Sequence, residues 1–222
     1  PLLENLQSTL EQQDTFEKLL GYAYSYCALL FAQGVKSLQG GIFDTTETLS
    51  KSKKVNDRCL ACFFFAGLSF MYGPILEPQL PKVLPVLLAL FGDKVDIVRQ
   101  AAEKAIQSIV KNLTHACVDR VLPYALSKVE NDSSWRVQQA AILLVKAVLK
   151  NKPRNIVKFV PSLVSSLGVA LKSATSSITE KAVETIELLK TSITNEAVVD
   201  IFDNIIQAIQ NPSSLPIAID KI

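Results

Sequence analysis

The sequence is short of the residues that most chemistry requires. Its 222 residues include one His, one Trp and one Met. A single His leaves little material for a catalytic base or a metal site. No Ser or Cys with an adjacent acid pattern makes His115 a base. Neither a G-x-x-x-x-G-K-[ST] loop nor a G-x-G-x-x-G turn occurs, which argues against a nucleotide site in this chain. Eight Gly and ten Pro are too few for collagen or a low-complexity linker. Four Cys are ordinary for a reducing compartment. Neither sign of charge dominates. Lys plus Arg is 23 and Asp plus Glu is 21, a net charge of +2. That balance excludes a strongly basic nucleic-acid clamp and an acidic tail, but leaves room for a local basic face. The expectation is a non-enzyme with no catalytic residue, no cofactor and no metal. The chain begins at Pro1 and its only methionine is Met71, so it reads as a segment of a longer protein.

What the sequence has is apolar residues, 49% against 20% charged, enough for a large core. They are arranged in a repeat. Val83-Leu84-Pro85, Val121-Leu122-Pro123 and Phe159-Val160-Pro161 open three similar segments, with Pro85, Pro123 and Pro161 evenly spaced. A fourth copy, Ile201 to Ile206, carries Asp203 in place of proline, after a slightly longer interval. A second stretch with apolar residues at helical spacing follows each of the first three: Asp96–Ile106, Trp135–Val145 and Thr179–Leu189. An earlier copy starts at Lys54-Val55-Asn56, one period before Lys94-Val95-Asp96, and the most N-terminal runs from Phe16 to Phe31.

A period near 40 with two helices per period, proline in the first and small residues in the second, is the signature of HEAT repeats. Proline early in a helix costs little, because a first-turn N–H has no intrahelical partner. The pairs Ala101-Ala102 and Ala140-Ala141 let helices approach closely. The fold class predicted is therefore all-α, a HEAT-repeat α-solenoid of about five to six helical hairpins. Residues 1–222 read as one solenoid segment, with repeats roughly at 1–39, 40–78, 79–116, 117–154, 155–194 and 195–222.

Several features admit more than one reading. The stretch from Cys59 to Leu76 carries no charge and is almost long enough to span a bilayer. It contains Gly67, Ser69, Gly73 and Pro74 and keeps phase with the repeat, so a central solenoid helix, apolar all round, is expected instead of a membrane span. Cys59-Leu60-Ala61-Cys62 lacks a second pair at zinc-ligand spacing, and Cys62 aligns with small Ala102, which points to a buried small residue. Lys111 and His115 are placed at a helix end, where they would complement the helix dipole. Asn112-Leu113-Thr114 and Asn131-Asp132-Ser133 match the glycosylation sequon, which matters only in a secreted protein. Two roles fit Trp135, which opens a second helix after the capping run Asn131–Ser134: an anchor packed on the next repeat, or an exposed contact residue.

Basic residues gather at turns and helix ends. Lys51, Lys53, Lys54 and Lys94 fall at intra-repeat turns, while Lys150, Lys152 and Arg154 fall at an inter-repeat turn on the opposite edge. A basic edge can follow phosphates. The candidate binding residues are Lys51, Lys53, Lys54, Lys94, Trp135 and Arg136.

From Phe16 to about Pro212 the chain resembles the elongation-factor-3-like HEAT region of the translational activators of general amino-acid control. That region is itself similar to the N-terminal HEAT domain of fungal translation elongation factor 3. Gly21-Tyr22-Ala23-Tyr24 with Gly34 resembles the family's G-A-A-Y-G-L-A-G-L-V-K-G-L-G. Leu76-Glu77-Pro78 with Val83-Leu84-Pro85 resembles its F-E-P-Y-V…V-L-P. Phe91-Gly92-Asp93 with Val98–Ala102 resembles its F-G-D…V-R-E-A-A, and Ser134-Trp135-Arg136 its S-W-R-T-K, with Gln138 in place of the Lys. Phe159-Val160-Pro161 with Leu163 is similar to its I-V-P-x-L, and Gln210-Asn211-Pro212 to its closing D-P. The resemblance implies a cytoplasmic ribosome-binding scaffold contacting rRNA and ribosomal proteins. It implies an ATP-binding-cassette ATPase partner and, through the parent protein, an initiation-factor kinase activated in amino-acid stress. The alternatives are the HEAT domain of an elongation-factor-3-like ATPase and a generic HEAT adaptor for other proteins.

Overall fold

The computed structural model describes residues 15–39, 41–151, 156–192 and residue 206. The Asp203 copy of the proline motif, Pro212, Lys152 and Arg154 lie outside the described residues. No strand occurs among the described residues. The chain divides into two compact units, residues 1–114 and 115–222.

The first unit contains α1 (Phe16–Ala32), α2 (Ile42–Ser50), α3 (Val55–Tyr72), α4 (Leu80–Phe91) and α5 (Asp96–Asn112). Short 3-10 helices at Val35–Gln39 and Gly73–Gln79 connect them. Helices α1, α3 and α5 pack side by side in one layer, and α2 and α4 lie against α3 and α5 in the other. Helix α3 is thus covered by α1, α2, α4 and α5, which is why every residue from Cys59 to Ser69 is buried. Phe63, Phe65, Leu60 and Leu68 are among the largest fully buried side chains. Each is worth roughly 2–3 kcal/mol relative to exposure. Phe16 of α1 meets Phe63 edge-on with centroids 4.8 Å apart, and Tyr22 and Tyr26 both meet Phe64.

The bilayer-length run is therefore a core helix. From Val55 to Phe91 its best window has mean hydropathy 1.8, enough for a membrane span by composition, but 72% of that window is buried. The helix also stops at Tyr72, because Gly73 takes a positive φ of 53° that side-chain-bearing residues avoid.

The second unit contains α6 (His115–Asn131), α7 (Trp135–Asn151), α8 (Val160–Leu171) and α9 (Ser176–Ser192), with a 3-10 turn at Val157–Phe159. Here α7 and α9 form one layer and α6 and α8 the other. Val129, Ala141, Ile142, Leu167, Ile178 and Ala182 form part of one cluster between them, and Ile206 packs on it. The four alanines at 101, 102, 140 and 141 are fully buried, as close helix approach requires.

Two local expectations are corrected. Of the three motif prolines, only Pro161 sits in the first turn of its helix. Pro85 and Pro123 lie inside α4 and α6. They are tolerated there because Pro85 and Pro123, and the residues four before them, Pro81 and Asp119, are all exposed. Water can then satisfy the carbonyls that lose a helical N–H. His115 opens α6 and does not close α5. Helix α5 ends with Leu113 in an extended conformation, and the Glu77 carboxylate accepts the Thr114 N–H and hydroxyl.

All four cysteines are buried with free thiols. Burial pushes Cys27 up to about 12 and Cys59 up to about 11, from an ordinary 9.0, and raises Cys62 well above it. The thiolate is the reactive species. Thiol reagents are therefore expected to leave the native protein unlabelled at pH 8 and to label all four Cys in denaturant. The sign of the pH dependence follows. Above pH 9 the unfolded thiols ionise while the folded Cys27, Cys59 and Cys62 stay protonated, so stability falls as pH rises toward 11–12. Labelling of the folded chain at the global unfolding rate or slower would confirm that no thiol is accessible. Faster labelling would contradict it.

Candidate functional site at the intra-repeat turns

Four intra-repeat turns share one hydrogen-bond pattern. In each, a Ser or Asp side chain accepts the backbone N–H two residues on: Ser52 from Lys54 at 3.1 Å, Asp93 from Val95 at 2.8 Å, Asp132 from Ser134 at 3.0 Å, and Ser173 from Thr175 at 3.2 Å. Six residues after that Ser or Asp, a side chain on the second helix reaches back to its carbonyl. Arg58 donates to Ser52 at 2.9 Å, Arg99 to Asp93 at 2.8 Å, Gln138 to Asp132 at 2.9 Å and Thr179 to Ser173 at 3.3 Å. Arg58 and Arg99 also hold the next carbonyls, those of Lys53 and Lys94. Turn and helix are thereby latched together. The Ser134 N–H, with Lys128 beside it, holds the Asp132 carboxyl below the usual range.

This pattern shifts the repeat register by one. Lys53, and not Lys54, stands where Lys94 stands, because Arg58 and Arg99 are the equivalent donors. The latch is the framework of the site that spacing of apolar residues does not reveal. Its trace in the sequence is Ser52…Arg58, Asp93…Arg99, Asp132…Gln138 and Ser173…Thr179, a polar pair at constant separation recurring with the repeat.

The two turns of the first unit are joined. The Arg58 guanidinium meets the Asp93 carboxylate with Nε–Oδ2 at 2.7 Å and Nη2–Oδ1 at 3.2 Å, both side chains being largely buried. Lys51, Lys53 and Lys54 lie on the first turn and Lys94 on the second. Their availability differs. Lys51 is held by Glu47 at 2.6 Å, and that hydrogen bond keeps the Glu47 carboxyl below its ordinary value. Lys53, Lys54 and Lys94 are exposed, with no carboxylate partner among the described residues. Trp135 and Arg136 belong to the second unit, at the start of α7. Trp135 is 41% exposed and so is not a buried anchor, and the Arg136 guanidinium lies 4.6 Å from the indole centroid.

Lys146 pairs with Glu184 and Lys158 with Asp119, both at 2.6 Å. The Asn112 amide donates to Ser69 and to the Ser108 carbonyl, so the first sequon serves α3–α5 packing. Among the described residues no group of three His, Cys, Asp or Glu could hold a metal ion.

Comparison with known proteins agrees with this architecture. The profile of the EF3 N-terminal HEAT repeat family matches residues 21–186. The mouse protein "Stalled ribosome sensor GCN1" is 27% identical over 214 residues, 96% of this chain and 8% of that relative. "Elongation factor 3" of Gonapodya prolifera is 28% identical over 141 residues, 64% of this chain and 13% of its own. The chain thus spans a small part of the curated relatives it matches. The crystal structure of the MAST/Orbit N-terminal domain superposes with a TM-score of 0.66 at 16% identity, covering 97% of this chain and 94% of that one. At that identity the likeness bears on the fold alone. Helical hairpins in two layers, the recurring turn and the match over residues 21–186 place this chain in the EF3 N-terminal HEAT repeat family, with an all-α HEAT-repeat solenoid fold.

Proposed function

We propose that this chain is a non-catalytic scaffold region of a translational-control protein, and that it binds the ribosome through its intra-repeat turns. The observation that carries the reading is the set of exposed lysines at 53, 54 and 94, which have no carboxylate partner among the described residues and are mounted on turns that the latches hold in place. Such a row suits rRNA phosphates, with Lys51 reachable once Glu47 is displaced. The similarity to a stalled ribosome sensor over nearly the whole chain supports the same reading. In the parent protein the region would work in the cytoplasm with an ATP-binding-cassette ATPase, and would contribute to activating the initiation-factor kinase in amino-acid stress. The family profile also favours a second reading, the HEAT domain of an elongation-factor-3-like ATPase. Tandem Walker motifs downstream in the parent would select it, and many further HEAT repeats would select the activator.

Ribosome co-sedimentation across a salt series tests the proposal. The chain is expected to pellet at low salt and to be released steeply as salt rises. Reversing Lys53, Lys54 and Lys94 to Glu should lower the slope of log K against log salt by about 3, near one per lost phosphate contact. Pelleting that ignores salt and the triple reversal would exclude the mechanism. Absence of pelleting at low salt, with the chain folded, would shift the assignment to a generic protein adaptor.

A further inference from the structure

The geometry points to a second, chemically different contact on the latched turns: Trp135 and Arg136 form a stacking platform for an unpaired RNA base. The inference rests on the proposal that this chain binds RNA, and adds what part of the RNA the second unit reads.

Three observations carry it. Trp135 is an isolated ring. It is the only exposed large hydrophobic on α6 or α7; the others of this unit, Val157, Val169 and Val183, are single valines on the 3-10 turn, α8 and α9. The first unit exposes larger ones, the aromatic Phe31 and Phe70 with Val35, Ile75 and Ile97. Next, Arg136 lies over the indole at 4.6 Å and pairs with no carboxylate among the described residues. Its plane can extend the stack, and its N–H groups remain available for a phosphate. Finally, the surroundings are polar and lack acids in the first turn of α7, while the Ser133 hydroxyl is exposed just ahead of it. The nearest carboxylate on the turn, Asp132, already accepts the Ser134 N–H and pairs with Lys128 at 3.1 Å. An aromatic face, a planar cation and a nearby exposed hydroxyl suit a splayed-out base with its phosphate. They suit a duplex poorly, since paired bases keep their faces to themselves.

In the equivalent turns of the first unit the platform is missing. The residues that match Trp135 and Arg136 by the latch register are Val55 and Asn56, and Asp96 and Ile97. The lysines at 53 and 94 are matched in turn by Ser133 and Ala174. The latched turns thus carry a cation one residue after the latch in the first unit, and a stacking pair three and four residues after it in the α6–α7 turn of the second.

The chain has one tryptophan, so indole emission reports on this site alone. The whole chain is titrated with a single-stranded oligoadenylate, with the same strand in a duplex with oligouridylate, and with polyglutamate. Binding is followed in parallel by anisotropy of labelled oligonucleotide. Oligoadenylate is expected to quench the emission, with about tenfold more duplex needed for the same effect. Arg136→Lys, which keeps the charge and loses the plane, should weaken the quenching interaction about tenfold. Oligonucleotide bound by anisotropy without quenching would overturn the platform and leave the ribosome reading standing. Equal quenching by duplex or polyglutamate, or an Arg136→Lys variant indistinguishable from the parent, would overturn it too. Loss of ribosome pelleting with quenching intact would instead remove the first proposal.

Discussion

Arg58→Ala should lower the unfolding free energy by about 3 kcal/mol, read from urea titration. Arg58 does three jobs at once. It holds the Ser52 and Lys53 carbonyls, and it meets Asp93 with two N–H groups. The side chains are only 14% and 13% exposed, so neither group can recover its lost partner from water. Truncation leaves the Asp93 carboxylate in that setting with the Val95 N–H as its remaining bond. Arg99→Ala provides the contrast. Arg99 makes the equivalent latch, but its carboxylate partner Asp96 is 67% exposed. Its loss should cost only about 1 kcal/mol. Equal costs at the two positions would show that the Arg58–Asp93 pair adds nothing to the shared latch.

Gly67→Leu should cost a similar amount, about 3 kcal/mol, at the opposite extreme of chemistry. Gly67 sits where α3 passes α1. A Cβ there would stand 2.9 Å from Cys27 Sγ and 3.3 Å from Cys27 Cβ. Cys27 is fully buried and its thiol faces the Phe64 carbonyl at 3.7 Å, so α1 has to move away from α3. A Cys27→Ala background removes the sulfur and should recover about 1 kcal/mol of that loss, as a double-mutant cycle would detect. Gly21→Ala is the control. Its Cβ meets nothing within 4 Å, it is exposed within α1, and the helical preference of Ala should raise stability by up to about 1 kcal/mol. Were Gly67→Leu neutral, the close approach of α1 and α3 would not be a constraint on the fold.

Much of this architecture is legible in the sequence because burial on a helix leaves a periodic trace. Ala101, Ala102, Ala105, Ile106 and Ile109 in α5 mark its covered face, and the prolines at 85, 123 and 161 mark the alternate layer. Helix α3 resists the same reading. It is covered on all sides, so its apolar residues lose their period and imitate a membrane span. The candidate site is legible only in part. Lysines at turns can be counted, but which of them is free depends on a neighbour such as Glu47, one helical turn away. The one-residue register shift between Lys54 and Lys53 is invisible to apolar spacing, because polar hydrogen bonds to backbone carbonyls set it. Trp135 leaves two roles open because packing partners contributed by other helices decide exposure, and the local sequence does not record them.

The all-round burial of α3 has a consequence for synthesis of the chain. Helix α3 ends at Tyr72 and α5, which covers one of its sides, ends at Asn112. At about 5–20 residues per second, roughly 2–8 s separate their emergence from the exit tunnel. Through that interval a charge-free run with the composition of a membrane anchor lacks one of its covering helices. Nascent chains paused between the two helices should therefore be the ones that recruit chaperones or membrane-targeting factors, and chains paused after α5 should not.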